Sequence, residues 1–266
     1  MTNTVLRANT VRVKYAAVVT AEPARRPSRA ETARARAAGS RRRPALGRDA
    51  IVEVALRIVD AEGVDEVSMR RVAAEFDTGP ASLYAYFPNK EALLNAVLDQ
   101  VIEEIEVPDD ADWQELLRKY AQTARDVFAA HNDIARLSFA HIPNNPQMMA
   151  GAELMLGRMI EGGVPPRVAA WSMDILALYI AADAYEGYLL GRRFDDGSGR
   201  DPHEAGLEYT ADVAESFAAA PPEEFPYLNR YAQELMTGSS DDRFTFGIDM
   251  LIAGFASRVP PRRRRR

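Results

Sequence analysis

From Arg48 onward, apolar residues recur at the spacing of a single helix face, and helix-breaking residues interrupt this pattern at short intervals. The first stripe has the i, i+3, i+4, i+7, i+8 spacing of an amphipathic helix and comprises Ile51, Val54, Ala55, Ile58 and Val59. Gly63 follows at the position where helices commonly end. Helices this short gain most of their stability from packing against other helices. The pattern therefore predicts an all-α fold built from short, mutually packed helices.

Three further helices are predicted before residue 106. Ser68 is suited to cap a short second helix, and Gly79 with Pro80 to begin a third that ends near Tyr86. Asn89, after the Phe87-Pro88 break, is suited to cap a fourth. Two short helices joined by a tight turn within a three-helix unit indicate a helix-turn-helix. In its third helix we expect Leu83 and Phe87 to point inward; the residues expected to point outward are Pro80, Ala81, Ser82, Tyr84 and Tyr86.

The most distinctive motif in residues 48–105 is Leu83-Tyr84-x-Tyr86-Phe87-x-Asn89-Lys90-x-x-Leu93-Leu94. Through this motif the segment resembles the DNA-binding domain of the tetracycline-repressor (TetR) family, which typically has L-Y-x-H-F-x-N/S-K-x-x-L. This sequence departs from the family at Asp77, where a turn glycine is usual, and at Tyr86, where a histidine is usual. Segments beginning at Trp113 and Phe225 resemble the C-terminal domain of the tetracycline-repressor subfamily, so the resemblance covers about residues 48–258.

The resemblance implies a set of DNA contacts. Tyr86 and Lys90 would hold phosphates, Arg70 would reach DNA from the second helix, and Arg48 stands just before the first helix, close enough to join them. The residues expected to approach or shape the major-groove contact are Thr78, Gly79, Pro80, Ala81, Ser82 and Tyr84. The alternative is that Tyr84 and Tyr86 are half-buried packing residues of an ordinary helical bundle.

Charge is distributed unevenly along the 266 residues, whose formal net charge is −6. Residues 1–48 contain twelve Lys or Arg against two Glu, a net charge of +10, whereas residues 49–105 contain four against twelve acids, a net charge of −8. Residues 258–266 add six Arg. A DNA-binding unit of charge −8 attracts a polyanion poorly over long distances, so we expect the basic arm to supply that attraction. A solvated, disordered leader is the alternative for residues 1–46.

The remainder of the chain is predicted to be a second helical domain, with helices over 111–131, 133–140, 146–162, 166–193, 202–219 and 241–258. The resemblance implies that the helices over 166–193 and 241–258 pair with their copies across a two-fold axis. The candidate dimerisation residues are Leu189, Phe244, Ile248, Leu251, Ile252 and Phe255. Gly247 and Gly254 would allow close approach of a partner helix. The alternative is that these apolar faces fill the core of a single protomer.

The same resemblance predicts a small-molecule effector, but not a tetracycline–magnesium complex. The family's drug- and metal-contacting positions fall on Glu106, Tyr120, Ser138 and Met155, and only a metal-linked Glu is retained, at Glu186. Met and aromatic residues suit a flat, apolar ligand instead. The candidate ligand-binding residues are Tyr120, Phe139, Met148, Met155, Met159, Trp171, Tyr179, Tyr185 and Glu186. The alternative for each of these residues is that it simply packs in the protein core. Asp183 and His141 are further candidates for a polar contact with the ligand.

The sequence lacks the motifs that are typical of enzymes and of metal- or cofactor-binding proteins. The chain has no Cys and only three scattered His, and it contains no nucleophile elbow, P-loop or dinucleotide fingerprint. We therefore expect no enzymatic activity, no metal and no cofactor. The most apolar stretch, near residues 168–182, is interrupted by Asp174 and followed by Asp183, so we expect no membrane span and a cytoplasmic protein.

These observations predict a homodimeric, ligand-responsive transcriptional regulator, most simply a repressor that a small, largely apolar effector releases from a palindromic operator in double-stranded DNA. The predicted organisation is a basic arm (1–46), a helix-turn-helix domain (47–105), a ligand-binding and dimerisation domain (106–258) and a basic tail (259–266). The alternative is a helical small-molecule-binding or scaffold protein without DNA-binding activity. Two features support it: Asp77 in place of the usual turn glycine, and the net charge of −8 on residues 49–105.

Overall fold

The computed structural model describes residues 45–109, 112–141, 145–195 and 201–261. Its ten α-helices, within these residues, are α1 (Arg48–Glu62), α2 (Met69–Glu75), α3 (Lys90–Glu103), α4 (Trp113–Ala130), α5 (Pro146–Glu161), α6 (Pro166–Phe194), α7 (Pro202–Ala218), α8 (Pro226–Arg230), α9 (Ala232–Met236) and α10 (Ser240–Ala256). Shorter 3-10 segments lie at Val64–Glu66, Pro80–Ser82 and Ile134–Ala140. The described residues contain no strand, in agreement with the predicted all-α fold.

The N-terminal helices begin and end where the sequence predicts. Gly63 follows α1 with a φ of 97°, a left-handed backbone that glycine adopts without a steric penalty. The Ser68 hydroxyl accepts a hydrogen bond from the Arg71 amide and caps α2, and the Asn89 side chain accepts from the Ala92 amide at 2.7 Å and caps α3. These caps fix the entry of each helix into a core formed by the buried stripe of α1 and the inner faces of α2 and α3.

The predicted third helix, Pro80–Tyr86, is shorter than expected. Only Pro80–Ser82 is helical, as a 3-10 turn, and the residues up to Tyr86 continue as turns. Leu83 and Phe87 are both fully buried, and Pro88 follows at once. A segment this short gains little stability from added helical turns. Its shape is therefore determined by the burial of Leu83 and Phe87.

The C-terminal helices pack around α6, which contacts α4, α5, α7 and α10. Arg125 of α4 joins three of these helices, because its guanidinium is paired with Asp183 of α6 at 2.6 Å and with Asp241 of α10 at 2.6 Å. Gly247 of α10 has no room for a side chain, since a Cβ there would overlap the Tyr179 ring. Its small size therefore serves packing within the protomer, whereas a Cβ at Gly254 would meet nothing within 4 Å.

Most predicted helices of this half are confirmed within a few residues. The 133–140 segment is a 3-10 helix rather than an α-helix, and the prediction missed α8 and α9, which are five residues each. Helices of five residues show too little periodicity to be recognised in a sequence.

By length and composition, α6 is the one helix among the described residues that is apolar enough to cross a membrane, with a mean hydropathy of 1.2 over its best window. Its middle carries the Asp183 carboxylate in an ion pair with Arg125, and Leu176 and Ile180 lie in the protein core. One helix of this kind is weak evidence for a membrane span, because the core helix of a soluble protein satisfies the same criteria of length and composition.

Candidate nucleic-acid interface

The residues predicted to read DNA form one exposed strip, Pro80–Tyr86, which we call the recognition segment. Leu83 is fully buried beneath it, whereas 53% of Tyr84 and 37% of Tyr86 are exposed. Ala81 is also exposed, and Pro80 and Ser82 are half-buried. The segment is thus anchored on one side and presents small and hydroxyl-bearing side chains on the other, as predicted for a surface that enters a DNA groove.

The turn before the recognition segment adopts the backbone conformation that its sequence disfavours. Asp77 has a φ of 58°, in the left-handed region where glycine is favoured. The turn is closed by hydrogen bonds from the Asp77 amide to the Ala74 carbonyl and from the Thr78 amide to the Ala73 carbonyl. The helix-turn-helix geometry is therefore formed despite the missing glycine, which removes Asp77 as an argument against DNA binding.

Hydroxyl groups at the start of the recognition segment are held in place. The Thr78 and Ser82 hydroxyls lie 2.7 Å apart in a hydrogen bond, which fixes both side chains at the entrance of the segment. Gly79 between them is exposed, and a Cβ at this position would meet nothing within 4 Å, so the backbone there is open to a close approach by DNA. Ordered hydroxyls beside an accessible backbone suit contacts to phosphates.

Tyr86 also organises the N-terminal edge of this surface. Its hydroxyl donates to the Leu46 carbonyl at 3.5 Å, and its own carbonyl accepts from Arg48 Nη1 at 3.4 Å. The Arg48 guanidinium lies 4.5 Å from the centre of the Phe87 ring. Arg48 is thereby placed beside the recognition segment as predicted, whereas no sequence pattern indicated the contact with Leu46.

The two remaining cationic candidates differ. Lys90 is half-buried, and its ammonium donates to the Asp65 carbonyl at 3.3 Å, so it is already engaged within the protein. Arg70 is exposed on α2, whereas its neighbour Arg71 forms an ion pair with Glu62. Arg70 is thus the better placed of the two α2 arginines to reach a phosphate.

The ligand-binding candidates fall into three groups by burial. Met155 and Met159 are buried, Tyr120, Met148, Tyr179 and Tyr185 are partly buried, and Phe139, Trp171 and Glu186 are exposed. Burial raises the pKa of Tyr120 above its ordinary value, because the charged phenolate would lose its hydration. The Phe139 ring packs edge-on against Tyr185, with 6.3 Å between centroids, although 43% of Phe139 is exposed.

Four candidates are corrected by their surroundings. Trp171 is 64% exposed and Glu186 is exposed as well, so neither lines the interior of the protomer. Tyr179 stacks on Phe244 at 5.8 Å and donates to the Arg243 carbonyl at 3.4 Å, which makes it a packing residue between α6 and α10. Asp183 is occupied by Arg125 and is no free polar contact for a ligand.

Comparisons with known proteins agree with this geometry. Residues 107–259 match the family model described as the tetracyclin repressor-like C-terminal domain, and residues 51–97 match that of bacterial regulatory proteins of the tetR family. The tetracycline repressor protein class G of Vibrio anguillarum is 27% identical over 79% of this chain and 93% of its own length. The crystal structure of ActR from Streptomyces coelicolor in complex with actinorhodin has 34% identity, a TM-score of 0.71, and coverage of 81% of this chain and 98% of that chain.

The chain belongs to the TetR family. It is therefore a transcriptional regulator with an N-terminal helix-turn-helix that binds DNA and a C-terminal domain that binds ligands. The HTH-type transcriptional repressor DrrR1 of Streptomyces coeruleorubidus, 38% identical over 43% of each chain, is a further relative. The domain boundaries predicted at residues 46, 105 and 258 remain predictions.

TetR-family regulators act as dimers, and the structure changes which residues are available for this contact. Phe244, Ile248, Ile252 and Phe255 are at most 7% exposed within the protomer, so the alternative of core packing holds for these four. They lie on the inner face of α10 and cannot meet a partner without opening the core. Leu189 is 48% exposed, and Leu251 is partly buried.

The exposed apolar side chains on α6 and α10 form a different surface, which we call the outer face. Its residues are Trp171, Ile175, Leu178, Leu189, Leu190, Phe246 and Met250, each at least 43% exposed. Exposed apolar residues on two adjacent helices are typical of a surface that a second copy covers. Both sides of α10 carry apolar residues, so the periodicity did not reveal that most of the predicted dimerisation residues on this helix are buried within the protomer.

Polar contacts that sequence reasoning missed connect the DNA-binding helices to the C-terminal half. Asp133, only 4% exposed, accepts from the Val64 amide at 2.8 Å and pairs with Arg136 at 3.1 Å. Arg136 in turn pairs with Asp65, and this contact lowers the pKa of the Asp65 carboxyl. No spacing rule indicates such contacts, since the partners are about seventy residues apart in sequence.

The histidines take part in the same set of contacts. His131 lies with Nδ1 at 2.8 Å from Asp60 and Nε2 at 3.2 Å from Glu104, and His141 lies 2.7 Å from Asp99. Both therefore contact α1 or α3 rather than a ligand. Within the parts of the chain that the structure describes, no group of three or more His, Asp or Glu is placed to hold a metal ion.

Proposed function

We propose that this TetR-family regulator is a dimeric repressor that leaves its operator when a small, largely apolar effector binds the C-terminal domain. One observation carries the proposal. A region rich in methionine and aromatic residues lies beside the Asp133 and Arg136 contacts, and these contacts hold the turn that leads into the exposed helix-turn-helix. ActR, which shares 34% identity with this chain, has been crystallised with actinorhodin and with (S)-DNPA. The protein would act in the cytoplasm, where its DNA is, and the proposal assigns it no enzymatic activity.

The effector region is proposed around the partly buried and buried candidates of α4, α5 and α6. Tyr120, Met155 and Met159 supply aromatic and flexible apolar surface, and Tyr185 with Phe139 closes the side toward the 134–140 segment. Tyr188 extends this surface, because its ring stacks on Tyr185 at 5.9 Å. Flat rings and thioethers favour a planar apolar ligand, while Ser138 and Met155 lack the groups that would hold a tetracycline–magnesium complex at these positions.

The 131–141 segment is the proposed link between effector and DNA. On one side, Phe139 contacts Tyr185; on the other, Asp133 and Arg136 hold Val64 and Asp65 in the turn that leads into α2. An effector that displaces Tyr185 would move this segment and, through Asp65, the turn before the helix-turn-helix. Such a shift changes the separation of the two recognition segments in a dimer, which must match half-sites about 34–36 Å apart.

DNA binding is tested by a gel shift with a duplex from the region upstream of the protein's own gene, against an unrelated duplex of equal length. We expect a shift specific to the upstream duplex. Tyr84→Ala should weaken it at least tenfold, since a good base contact contributes about 1–3 kcal/mol. Tyr227→Ala is the matched control, because Tyr227 is still more exposed, at 76%, and lies outside the helix-turn-helix. The absence of a specific shift at any salt concentration would favour a binding protein without DNA-binding activity.

Effector response is tested with actinorhodin and with tetracycline plus magnesium as probes in the same assay. We expect actinorhodin to release the DNA and the tetracycline–magnesium complex to have no effect. Arg136→Gln should leave binding of actinorhodin unchanged within about threefold, as measured by calorimetry, but should reduce the DNA release that it causes. Arg230→Gln, which alters an exposed arginine of α8 beside the Tyr231 ring, is the control. Release by the magnesium complex alone would contradict the apolar effector class.

A further inference from the structure

His131 lies where the C-terminal half meets both longer helices of the helix-turn-helix. It follows α4 directly and caps the C-terminal end of that helix. Its Nδ1 lies 2.8 Å from an Asp60 carboxylate oxygen near the end of α1, and its Nε2 lies 3.2 Å from a Glu104 carboxylate oxygen directly after α3. The ring is 12% exposed, whereas Asp60 and Glu104 are exposed. We call this pair of contacts the His131 bridge.

The two contacts of the bridge together require a protonated ring. A neutral imidazole carries one N–H, so it can donate to one carboxylate only, and its other nitrogen turns a lone pair toward the second. An imidazolium carries two N–H groups and can donate to both carboxylates at once. The free carbonyl groups at the C-terminal end of α4 also attract a cation. Both contacts are therefore formed by the charged ring and not by the neutral one.

The neighbouring contacts between the two halves depend less on protonation. From the segment that follows His131, the charged groups are Asp133 and Arg136, which pair with each other at 3.1 Å. Aspartate and arginine ordinarily keep their charges between pH 5 and 8. The His141 ring contacts Asp99 through Nε2 at 2.7 Å, and a neutral ring can donate to a single carboxylate. The ring held between two carboxylates is thus the contact most sensitive to pH near neutrality.

The far ends of the two bridged helices border the DNA-reading surface. Arg48, at the start of α1, contacts the Tyr86 carbonyl, and Asn89, which caps α3, follows the recognition segment closely. The fifteen residues of α1 and fourteen of α3 correspond to lengths of about 22 Å and 21 Å. A rotation of about 5° at the bridged ends therefore displaces the far ends by about 2 Å. The bridge thus restricts where each recognition segment lies, and binding to two half-sites depends on that separation.

We propose that His131 is a positioning residue for DNA binding, whose imidazolium joins α1 and the end of α3 to α4 and orients the recognition segment. Histidine ordinarily changes its charge between pH 5 and 8. The charged ring holds both carboxylates at the lower pH, and the neutral ring leaves one of them without its donor at the higher pH. DNA affinity therefore falls as the pH rises through this range. The proposal rests on the proposed function only in requiring that the protein binds DNA.

The first test measures the affinity of the full chain for the upstream duplex at pH 6 and pH 8, by fluorescence anisotropy at constant ionic strength. We expect the wild-type protein to bind about fivefold more weakly at pH 8, a typical size for coupling between two sites. His131→Gln should bind at both pH values as weakly as the wild type does at pH 8. His203→Gln is the matched control, because it removes an exposed histidine of α7 by the same substitution and should keep the wild-type dependence.

Further variants separate the charge of the ring from its shape. His131→Lys carries a charge that does not ordinarily change in this range and should bind at pH 8 within about threefold of the wild type at pH 6. A lysine variant that melts like the wild type but binds as weakly as His131→Gln would overturn the role of the charge. Asp60→Asn and Glu104→Gln, at exposed positions, should each reduce the pH dependence. Wild-type dependence in both would overturn the bridge even where His131→Gln does not fold.

Nuclear magnetic resonance tests the protonation state without DNA. The chain has three histidines, so in protein labelled with nitrogen-15 at histidine the signals missing from His131→Gln identify this ring. We expect both of its nitrogens to have the chemical shifts of an imidazolium at pH 6 and one of them to move to the neutral value by pH 8. A ring that is already neutral at pH 6 in the folded protein would contradict the proposal, whatever the DNA affinities are.

Failure of this proposal is distinguishable from failure of the proposed function. Specific binding of the upstream duplex with equal affinity at both pH values would contradict the role of His131 and leave the regulator assignment intact. Tighter binding at pH 8 would mean that the bridge holds the recognition segments away from their half-sites, which also contradicts the proposal. If the wild-type protein binds no duplex specifically at either pH, the proposed function itself is contradicted.

Discussion

The first helix and the seventh show how differently the two halves of this regulator use apolar residues. Seven of the fifteen residues of α1 are buried, whereas Ala214 alone is buried among the seventeen of α7. Leu207 and Tyr209 of α7 are 57% and 40% exposed. The first helix thus buries its apolar stripe within the protomer, in a core that it shares with the C-terminal helices, while α7 leaves apolar surface uncovered within one protomer. Stability in the first region depends on internal packing, and in the second also on a partner.

The largest expected effect is on the core beneath the recognition segment. Phe87 is 1% exposed, so Phe87→Ala should lower the free energy of unfolding by about 3–5 kcal/mol and abolish DNA binding. Urea denaturation followed by circular dichroism measures the change. Tyr84→Ala, at a position 53% exposed, should alter stability by no more than about 0.5 kcal/mol. Equal losses in the two variants would show that Phe87 is not an anchor.

The next effect concerns the outer face. Phe246 is 66% exposed on α10, and Phe246→Asp would place a carboxylate against the partner helix. We expect the dimer dissociation constant to rise at least a hundredfold, about 2.7 kcal/mol, as measured by analytical ultracentrifugation. Met149→Asp is the control, because Met149 is 61% exposed on α5, away from this face. If both variants remain equally dimeric, the outer face is not the interface.

A smaller effect is expected at the strained turn. Since Asp77 has a φ of 58°, Asp77→Gly should be more stable than Asp77→Ala by about 1 kcal/mol, because a Cβ is disfavoured in the left-handed region. Comparing the two variants with each other removes the effect of losing the carboxylate. Thermal unfolding measures the difference. An alanine variant as stable as the glycine variant would show that this turn is not under steric constraint.

The smallest expected effect depends on pH. Hydrogen bonding to Arg136 lowers the pKa of Asp65 below its ordinary value of 3.8. The carboxyl therefore stabilises the folded state above that value, and this contribution is lost as the pH falls through the lowered pKa. Melting temperatures at pH 7 and pH 3 should differ more for the wild-type protein than for Asp65→Asn. Glu66→Gln, at a neighbouring exposed position, should show the same dependence of melting temperature on pH as the wild type. If Asp65→Asn also shows the wild-type dependence, the contact with Arg136 does not stabilise the folded state.

Local signals predicted much of the fold. The caps at Ser68 and Asn89 and the glycine after α1 depend only on nearby backbone groups, so the sequence indicated them correctly. The third helix was predicted too long, because its shape follows from burial of Leu83 and Phe87 against helices remote in sequence. The ligand-binding and arm residues remain predictions, and the arm and the C-terminal arginines lie outside the described residues except for Ala45, Leu46 and Arg258.

The sequence by itself determined the all-α class, the family and the exposed recognition segment, because periodicity, capping residues and the Leu83–Leu94 motif are written in neighbouring positions. Only the tertiary structure decided which apolar side of α10 faces the core, that Trp171 lies outside, and that Asp133 and Arg136 reach the helix-turn-helix. These outcomes depend on how whole helices pack against one another. A helix with two apolar sides has the same periodicity whichever side is buried, so no local pattern distinguishes them.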